Sequence, residues 1–307
     1  MTCEAPELIA VIGPTAAGKS AYAMALAPQV NGEIVSADSR HVYRQMDIGT
    51  NKPTPDEQRR VRHHLLDLRD PHERFSLGEY VELARTAIAD IHARGKTPLL
   101  VGGTGQYVRA ILRGWRVPPA PPHDDLREKW LRYAQAHGAD ALFAELTARD
   151  PDAARIIDPR NIRRVIRALE VIEVSGQRWS ELQKREPPAW RTRVIYVNLP
   201  RDALYARADA RLARMIEQGW LAETEALLDF LSRRGFDADA ALQLPSMSAL
   251  GYREMALVAL GRMTLDEAIA AIKRATRRFI RAQDVWFRKE AAQGASPGGV
   301  AQIAPPP

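Results

Sequence analysis

The stretch Gly13-Pro14-Thr15-Ala16-Ala17-Gly18-Lys19-Ser20 constrains this chain more than any other. Two glycines at a four-residue gap precede Lys and Ser, the apolar run Leu8 to Ile12 comes before them, and Ala21 to Leu26 reads as a helix after them. A strand that feeds a glycine-bearing turn into a helix N-terminus makes a cradle for a phosphate chain. The glycines let successive backbone N–H groups turn inward, Lys19 supplies a point charge, and the Ser20 hydroxyl is a ligand for Mg²⁺. Such a loop demands an α/β core, yet it does not say which phosphate compound is held.

Four strand-like runs, Leu8 to Ile12, Glu33 to Ala37, Pro98 to Val101 and Arg193 to Leu199, alternate with helical stretches and predict a parallel sheet. The gap between the third and fourth is far longer than a crossover helix needs. Residues 116–189 therefore read as an insertion, opened by the proline cluster 117–122 and closed by Pro187-Pro188, with helical patterns over Asp124 to His137, Ala139 to Ala148 and Asn161 to Val174. An all-helical subdomain inside an α/β core of 1–115 and 190–292 is the expectation. Further helices are predicted over Arg201 to Gln218, Leu221 to Arg233, Ser246 to Leu260 and Leu265 to Lys289. The Gly-, Ala- and Pro-rich tail, 293–307, reads as disordered.

The single cysteine, Cys3, excludes an internal disulfide and a cysteine-rich zinc site. No apolar run approaches the length of a membrane span, so no membrane partner is expected and the expected location is cytoplasmic. A formal net charge of +6 suits a polyanionic partner. Arg160, Arg163, Arg164 and Arg167 share one helical face, while Ile162, Val165, Ile166, Leu169 and Ile172 line the other. Arg274, Arg277, Arg278, Arg281 and Arg288 form a second such stripe, opposite Ile272, Phe279 and Trp286. One face docks and the other grips phosphate; a merely solvated basic face is the competing account.

Asp38 ends the second strand, beside the phosphate loop, and is a candidate base or metal ligand; a turn-capping carboxylate is the alternative. The third strand, Leu99-Leu100-Val101, runs into Gly102-Gly103-Thr104-Gly105, where a nucleotide hydrolase would carry an Asp for Mg²⁺. Two glycines allow close approach of a ligand, and Thr104 offers a neutral hydroxyl suited to a leaving oxygen; a turn glycine-rich only for packing competes. His63 and His64 are adjacent, so their side chains diverge and a structural role is preferred to a metal site. Arg207 and Arg211, four apart on one face, can reach a diphosphate or simply be solvated.

GPTAAGKS at 13–20, SADSRH at 36–41, MDIGTNKP at 46–53, HHLLD at 63–67, GGTGQY at 102–107, RVIRALEV at 164–171 and PSMSALGYRE at 245–254 resemble the tRNA dimethylallyltransferases, over nearly the whole chain. The resemblance implies transfer of a five-carbon prenyl group from dimethylallyl diphosphate to N6 of the adenine just 3′ of the anticodon. It makes Asp38 the general base and Thr104 the partner of the bridging oxygen. It assigns Gly13 to Ser20, with Mg²⁺ on Ser20, and Arg207 or Arg211 to the diphosphate. It also implies tRNA contacts at Asp38, Ser39, Arg40, His41 and Thr104, along Arg163, Arg164, Val165, Ile166 and Arg167, and at Ser248, Gly251, Tyr252 and Arg253, with the insertion closing on the anticodon stem. The target base must then leave its stack. His41 stands where that family commonly has Gln, and Ala282 where Arg is common. The zinc finger of eukaryotic relatives is absent from this sequence. A monomer is expected. A small-molecule kinase, a prenyltransferase acting on free nucleotides and a non-catalytic RNA-binding protein are the rival readings.

Overall fold

The strand β1 (Glu7–Ile12) is buried from Leu8 onward, because it lies between two parallel neighbours and meets water on neither face. A computed structural model describes residues 5–117, 123–182, 185–293 and 300–303. They fall into two compact units, Met1–Leu112 with Pro188–Pro307, and Arg113–Pro187. The first unit begins with β1, α1 (Lys19–Leu26), β2 (Gly32–Ser36), α2 (Pro55–Arg60), β3 (His63–His64), α3 (Leu77–Ala93), β4 (Thr97–Gly102) and α4 (Gly105–Leu112). The second holds α5 (Asp124–His137), α6 (Ala139–Arg149), α7 (Pro151–Ala154), α8 (Ile162–Ser175) and α9 (Trp179–Leu182). The first then resumes with β5 (Arg191–Val197), α10 (Arg201–Glu217), α11 (Trp220–Ser232), α12 (Ala238–Leu242), α13 (Tyr252–Ala259), α14 (Leu265–Gln293) and β6 (Val300–Ile303).

The described strands form one parallel sheet in the order β3-β2-β4-β1-β5-β6. Pairing Ile9 with Leu99 and Arg193, and Val11 with Val101 and Ile195, sets the register of its centre. Because β4 separates β2 from β1, the carboxyl ends of three adjacent strands open together: β2 at Asp38, β4 at Gly103-Thr104 and β1 at the phosphate loop. That edge is where parallel α/β sheets hold ligands. Gly102 is required there, since a Cβ on it would stand 2.2 Å from the Ala37 carbonyl oxygen.

A second core of the same unit forms where the loop after β2 (Val42, Tyr43, Met46) packs on α10 to α14 through Met215, Trp220, Leu227, Tyr252 and Ile272. In the other unit, Trp130, Leu142, Leu146, Val165, Leu169 and Trp179 close the core of α5 to α9. No helix among the described residues is long and apolar enough to cross a membrane.

Two elements differ from the sequence expectation, and a third is one that it does not assign. The helix expected from Ser246 to Leu260 is interrupted: a 3₁₀ turn covers Ser246–Ser248, and α13 starts only after Gly251, whose φ of 91° belongs to the left-handed region. The pair His63–His64 forms a short strand, too brief to show an alternating pattern. The disorder expected over 293–307 does not hold at Val300–Ile303, which pair with Val194 to Val197 of β5. Residues 294–299 and 304–307, and most of the proline cluster, lie outside the described residues.

Candidate active site

At the loop after β1, Gly18 takes a left-handed conformation (φ 91°) and opens α1, whose first N–H groups have no partner within the helix. Lys19 folds back over the loop and donates to the Pro14 carbonyl at 2.8 Å. Burial pulls its ammonium down to about 8; the Asp38 carboxylate opposes that fall and the Arg211 guanidinium adds to it. Arg211, on α10, donates to the Thr15 hydroxyl at 2.9 Å, and its own affinity for the proton is lowered by burial. Lys19 and Arg211 are thus partly buried cations beside the phosphate loop, placed to meet an anion. Arg207 lies one turn earlier with its side chain in solvent, so of the two arginines only Arg211 is seen to reach the phosphate loop.

Asp38 and Thr104 are brought together by the main chain. The Thr104 amide donates to the Ala37 carbonyl at 3.1 Å, and the Ser39 amide donates to the Thr104 hydroxyl at 2.9 Å. Asp38 accepts from the Arg40 amide at 2.9 Å, a turn within its own loop that leaves its second carboxylate oxygen available. The turn-capping bond of Asp38 is present and occupies one of its two carboxylate oxygens.

Arg40 reaches the 245–248 segment, donating to the Pro245 carbonyl at 2.8 Å and the Ser248 hydroxyl at 3.1 Å. His41 turns inward: its Nδ1 lies 3.4 Å from the Ser36 hydroxyl and its Nε2 3.2 Å from the Thr50 carbonyl. It fastens the loop to itself, which is what a side chain in place of Gln does here. Four of the residues assigned to tRNA need correction. Val165 and Ile166 are 0% and 7% exposed in the core of α5 to α9, so their side chains do not reach the outer face of that helix. Arg163 and Arg164 are exposed, while Arg167 pairs with Glu170 at 2.6 Å. Gly251 is covered, a Cβ there meeting the Trp220 ring at 2.2 Å. Tyr252 is fully buried and donates to Glu223 at 2.7 Å. Ser248 and Arg253 remain at the surface.

Two residues that sequence reasoning passed over shape the site. Glu223 accepts the amides of Asp47 (2.8 Å), Ile48 (2.7 Å) and Gly49 (3.2 Å) and so fixes the loop that carries Thr50. Gln283 binds both the phosphate loop and the turn after β4, accepting from the Thr15 amide and donating to the Gly103 carbonyl, each at 2.8 Å. Its signal lay in periodicity: Thr276, Ile280, Gln283 and Phe287 make one helical face, and a Gln at a core position is a polar group in need of partners.

A Mg²⁺ ion fits the donor set only in part-hydrated form. No group of three or more His, Cys, Asp or Glu side chains among the described residues is placed to hold a metal. The exposed Ser20 hydroxyl, at the first turn of α1, suits an ion whose other ligands are diphosphate oxygens and water.

A profile of the IPP transferase family matches residues 41–290. A tRNA dimethylallyltransferase of Roseiflexus sp. (strain RS-1) is 54% identical over 282 residues, covering 92% of this chain and 90% of that protein. That of Chloroflexus aurantiacus (strain ATCC 29366 / DSM 635 / J-10-fl) is 51% identical over 283 residues, covering 92% of this chain and 93% of the relative. Among solved structures, the full-length tRNA isopentenylpyrophosphate transferase of Bacillus halodurans aligns with a TM-score of 0.66 at 38% identity, over 97% of this chain and 89% of the other. A eukaryotic dimethylallyltransferase acting on tRNA aligns with a TM-score of 0.82 at 28% identity, over 97% and 73%. With a family model matching residues 41–290 and relatives more than half identical over 92% of its length, the chain belongs to the IPP transferase family.

Proposed function

We propose that this protein transfers the dimethylallyl group of dimethylallyl diphosphate to N6 of the adenosine 3′-adjacent to a tRNA anticodon, giving N6-(dimethylallyl)adenosine and diphosphate. The carrying observation is that a base candidate, Asp38, and a neutral hydroxyl, Thr104, are tied together at the mouth of a cationic phosphate loop. Relatives named for this reaction on tRNA support the choice of substrates.

The C1–O bond of the donor breaks and its electron pair leaves with the diphosphate, while N6 forms the new bond to C1 and gives its proton to Asp38. Bond breaking runs ahead toward an allylic cation, so stabilising negative charge on the leaving group is the main lever. The amides at the start of α1, Lys19 and Arg211 supply that stabilisation, and Thr104 donates to the bridging oxygen. Ser20 would hold Mg²⁺, which when bound neutralises charge on the diphosphate oxygens. Asp38 need only take one proton as the C–N bond forms. Ser39 and Arg40, at the same strand end, and the exposed Arg163, Arg164, Ser248 and Arg253 are the side chains we assign to tRNA. Residues 116–189, with α8, serve as a helical tRNA-contacting subdomain. A monomer suffices, since every residue named comes from one chain, and a cytoplasmic location goes with a tRNA substrate.

The test supplies dimethylallyl diphosphate with either unmodified tRNA or AMP, followed by mass spectrometry of digested products. Prenylated adenosine from tRNA, lost by at least about 10²-fold in Asp38→Ala while tRNA still binds, is the expected outcome. Transfer to AMP alone would move the protein to free-nucleotide chemistry.

A further inference from the structure

We infer that Gln283 is a positioning residue that sets the spacing between the phosphate loop and the Thr104 turn; this rests on the transfer reaction proposed above. The residue is 7% exposed and its carboxamide is used at both ends: Oε1 accepts the Thr15 N–H at 2.8 Å, and Nε2 donates to the Gly103 carbonyl at 2.8 Å. The N–H on one side and the C=O on the other fix the orientation of the amide. Both partners adjoin the working groups. Thr15 is also gripped through its hydroxyl by Arg211 at 2.9 Å, and Gly103 directly precedes Thr104. The bridge spans separate strands, β1 and β4, so the residue that ties their loops is supplied from α14, far away in sequence.

A side chain that joins an N–H to a C=O across this gap must carry a donor and an acceptor at one tip. Glu keeps the acceptor and would set a carboxylate oxygen against the Gly103 carbonyl; Leu keeps the volume and loses both bonds; Asn is one methylene short. With the Thr15 amide committed to Gln283, the amides at the start of α1 remain for the diphosphate. The bridge thereby places diphosphate and Thr104 hydroxyl in one geometry, and slippage of about 1 Å between such groups lowers turnover by on the order of 10²-fold. A Gln that only filled the core would tolerate Leu.

The experiment compares Gln283→Leu, Gln283→Glu and Gly103→Ala with the unaltered protein. Gly103→Ala leaves Gln283 in place but drives a Cβ to 2.8 Å from its Nε2, displacing the amide from the other side. Thermal unfolding checks the fold, kinetics separate kcat from the KM for tRNA, and calorimetry reads the affinity for inorganic diphosphate without any reaction. Expected are a kcat lower by roughly 10- to 100-fold, an unchanged KM for tRNA and a several-fold weaker diphosphate affinity in each folded variant. A folded Gln283→Leu or Gly103→Ala with undiminished kcat and diphosphate affinity would overturn the inference, as would a rise in the tRNA KM alone. Should Gln283→Leu fail to fold, Gly103→Ala decides. If the unaltered protein prenylates no tRNA, the proposed reaction falls, whereas the diphosphate affinities still judge the bridge.

Discussion

Thr104 holds the main chain on both sides of Asp38. Its amide donates to the carbonyl of Ala37 and its hydroxyl accepts the amide of Ser39, so the carboxylate between them is fixed relative to the turn after β4. The hydroxyl proton has a weaker partner, the Ser39 hydroxyl at 3.3 Å, and a leaving oxygen can take it over at little cost. Thr104→Ala removes the Ser39 half of the clamp and the donor, leaving the main-chain bond to Ala37, and kcat should fall by about 10²-fold or more. Thr104→Ser keeps both and should restore most of the rate. Equal loss in the two variants would show that the methyl group, not the hydroxyl, matters.

Lys19, assigned above to the diphosphate, should make its binding pH-dependent. Its proton affinity sits at about 8 in the free protein because burial outweighs the pull of Asp38. Below that pH the ammonium is already present; above it, binding must take up a proton. Diphosphate affinity should therefore be flat below pH 8 and fall up to about tenfold per unit above it. Calorimetry in buffers of different ionisation enthalpy reads the proton uptake directly. Asp38→Asn removes the raising charge, so the inflection should move to lower pH; no movement would mean that Asp38 and Lys19 do not sense each other.

Much of this arrangement was legible because it is local. The four central strands each hold an apolar stretch, and the phosphate loop and the glycine turn before Thr104 are contiguous segments whose chemistry follows from their residue types. What escaped is non-local or counter-periodic. Gln283 acts 268 residues from Thr15, and only the fold brings them together. Glu223 resembles any helix-surface acid until the loop at 47–49 docks on it. Gly251 and Tyr252 stand inside a motif next to exposed residues, and it takes the Trp220 ring to show that they face the core. The two-residue β3 has no pattern to detect at all.

Glu33 ties the amino-terminal ends of β2 and β4, remote from the chemistry. It is 2% exposed and accepts from Arg94 (2.5 and 2.7 Å), Lys96 (2.8 Å) and His64 (2.7 Å). The Arg94 guanidinium, helped by Lys96 and His64 and opposed by burial, holds its carboxyl far below the usual range. A depressed carboxylate contributes stability that is present above the ordinary value of 4.5 and lost as pH falls through the folded-state value. Glu33→Gln should destabilise by about 2–3 kcal/mol at pH 7, the partners being partly in water. Denaturant titrations should show that difference shrinking below pH 4.5; a constant gap would assign the loss to packing.

The arginines of α8 should separate by their partners when tRNA binding is measured against salt. Arg163 and Arg164 are exposed, with Arg164 lying 5.7 Å over the Trp179 ring, whereas Arg167 is already paired with the buried Glu170. A cation that releases counterions from phosphate contributes about 0.7–0.9 to the slope of log affinity against log salt. Arg163→Ala and Arg164→Ala should each flatten the slope by roughly that amount, and Arg167→Ala by less. Val165→Ala, in contrast, should lower stability by about 1–2 kcal/mol by opening a cavity against Leu142 and Leu169 and leave the slope untouched. A slope change in Val165→Ala without loss of stability would return that residue to the RNA surface from which its burial removes it.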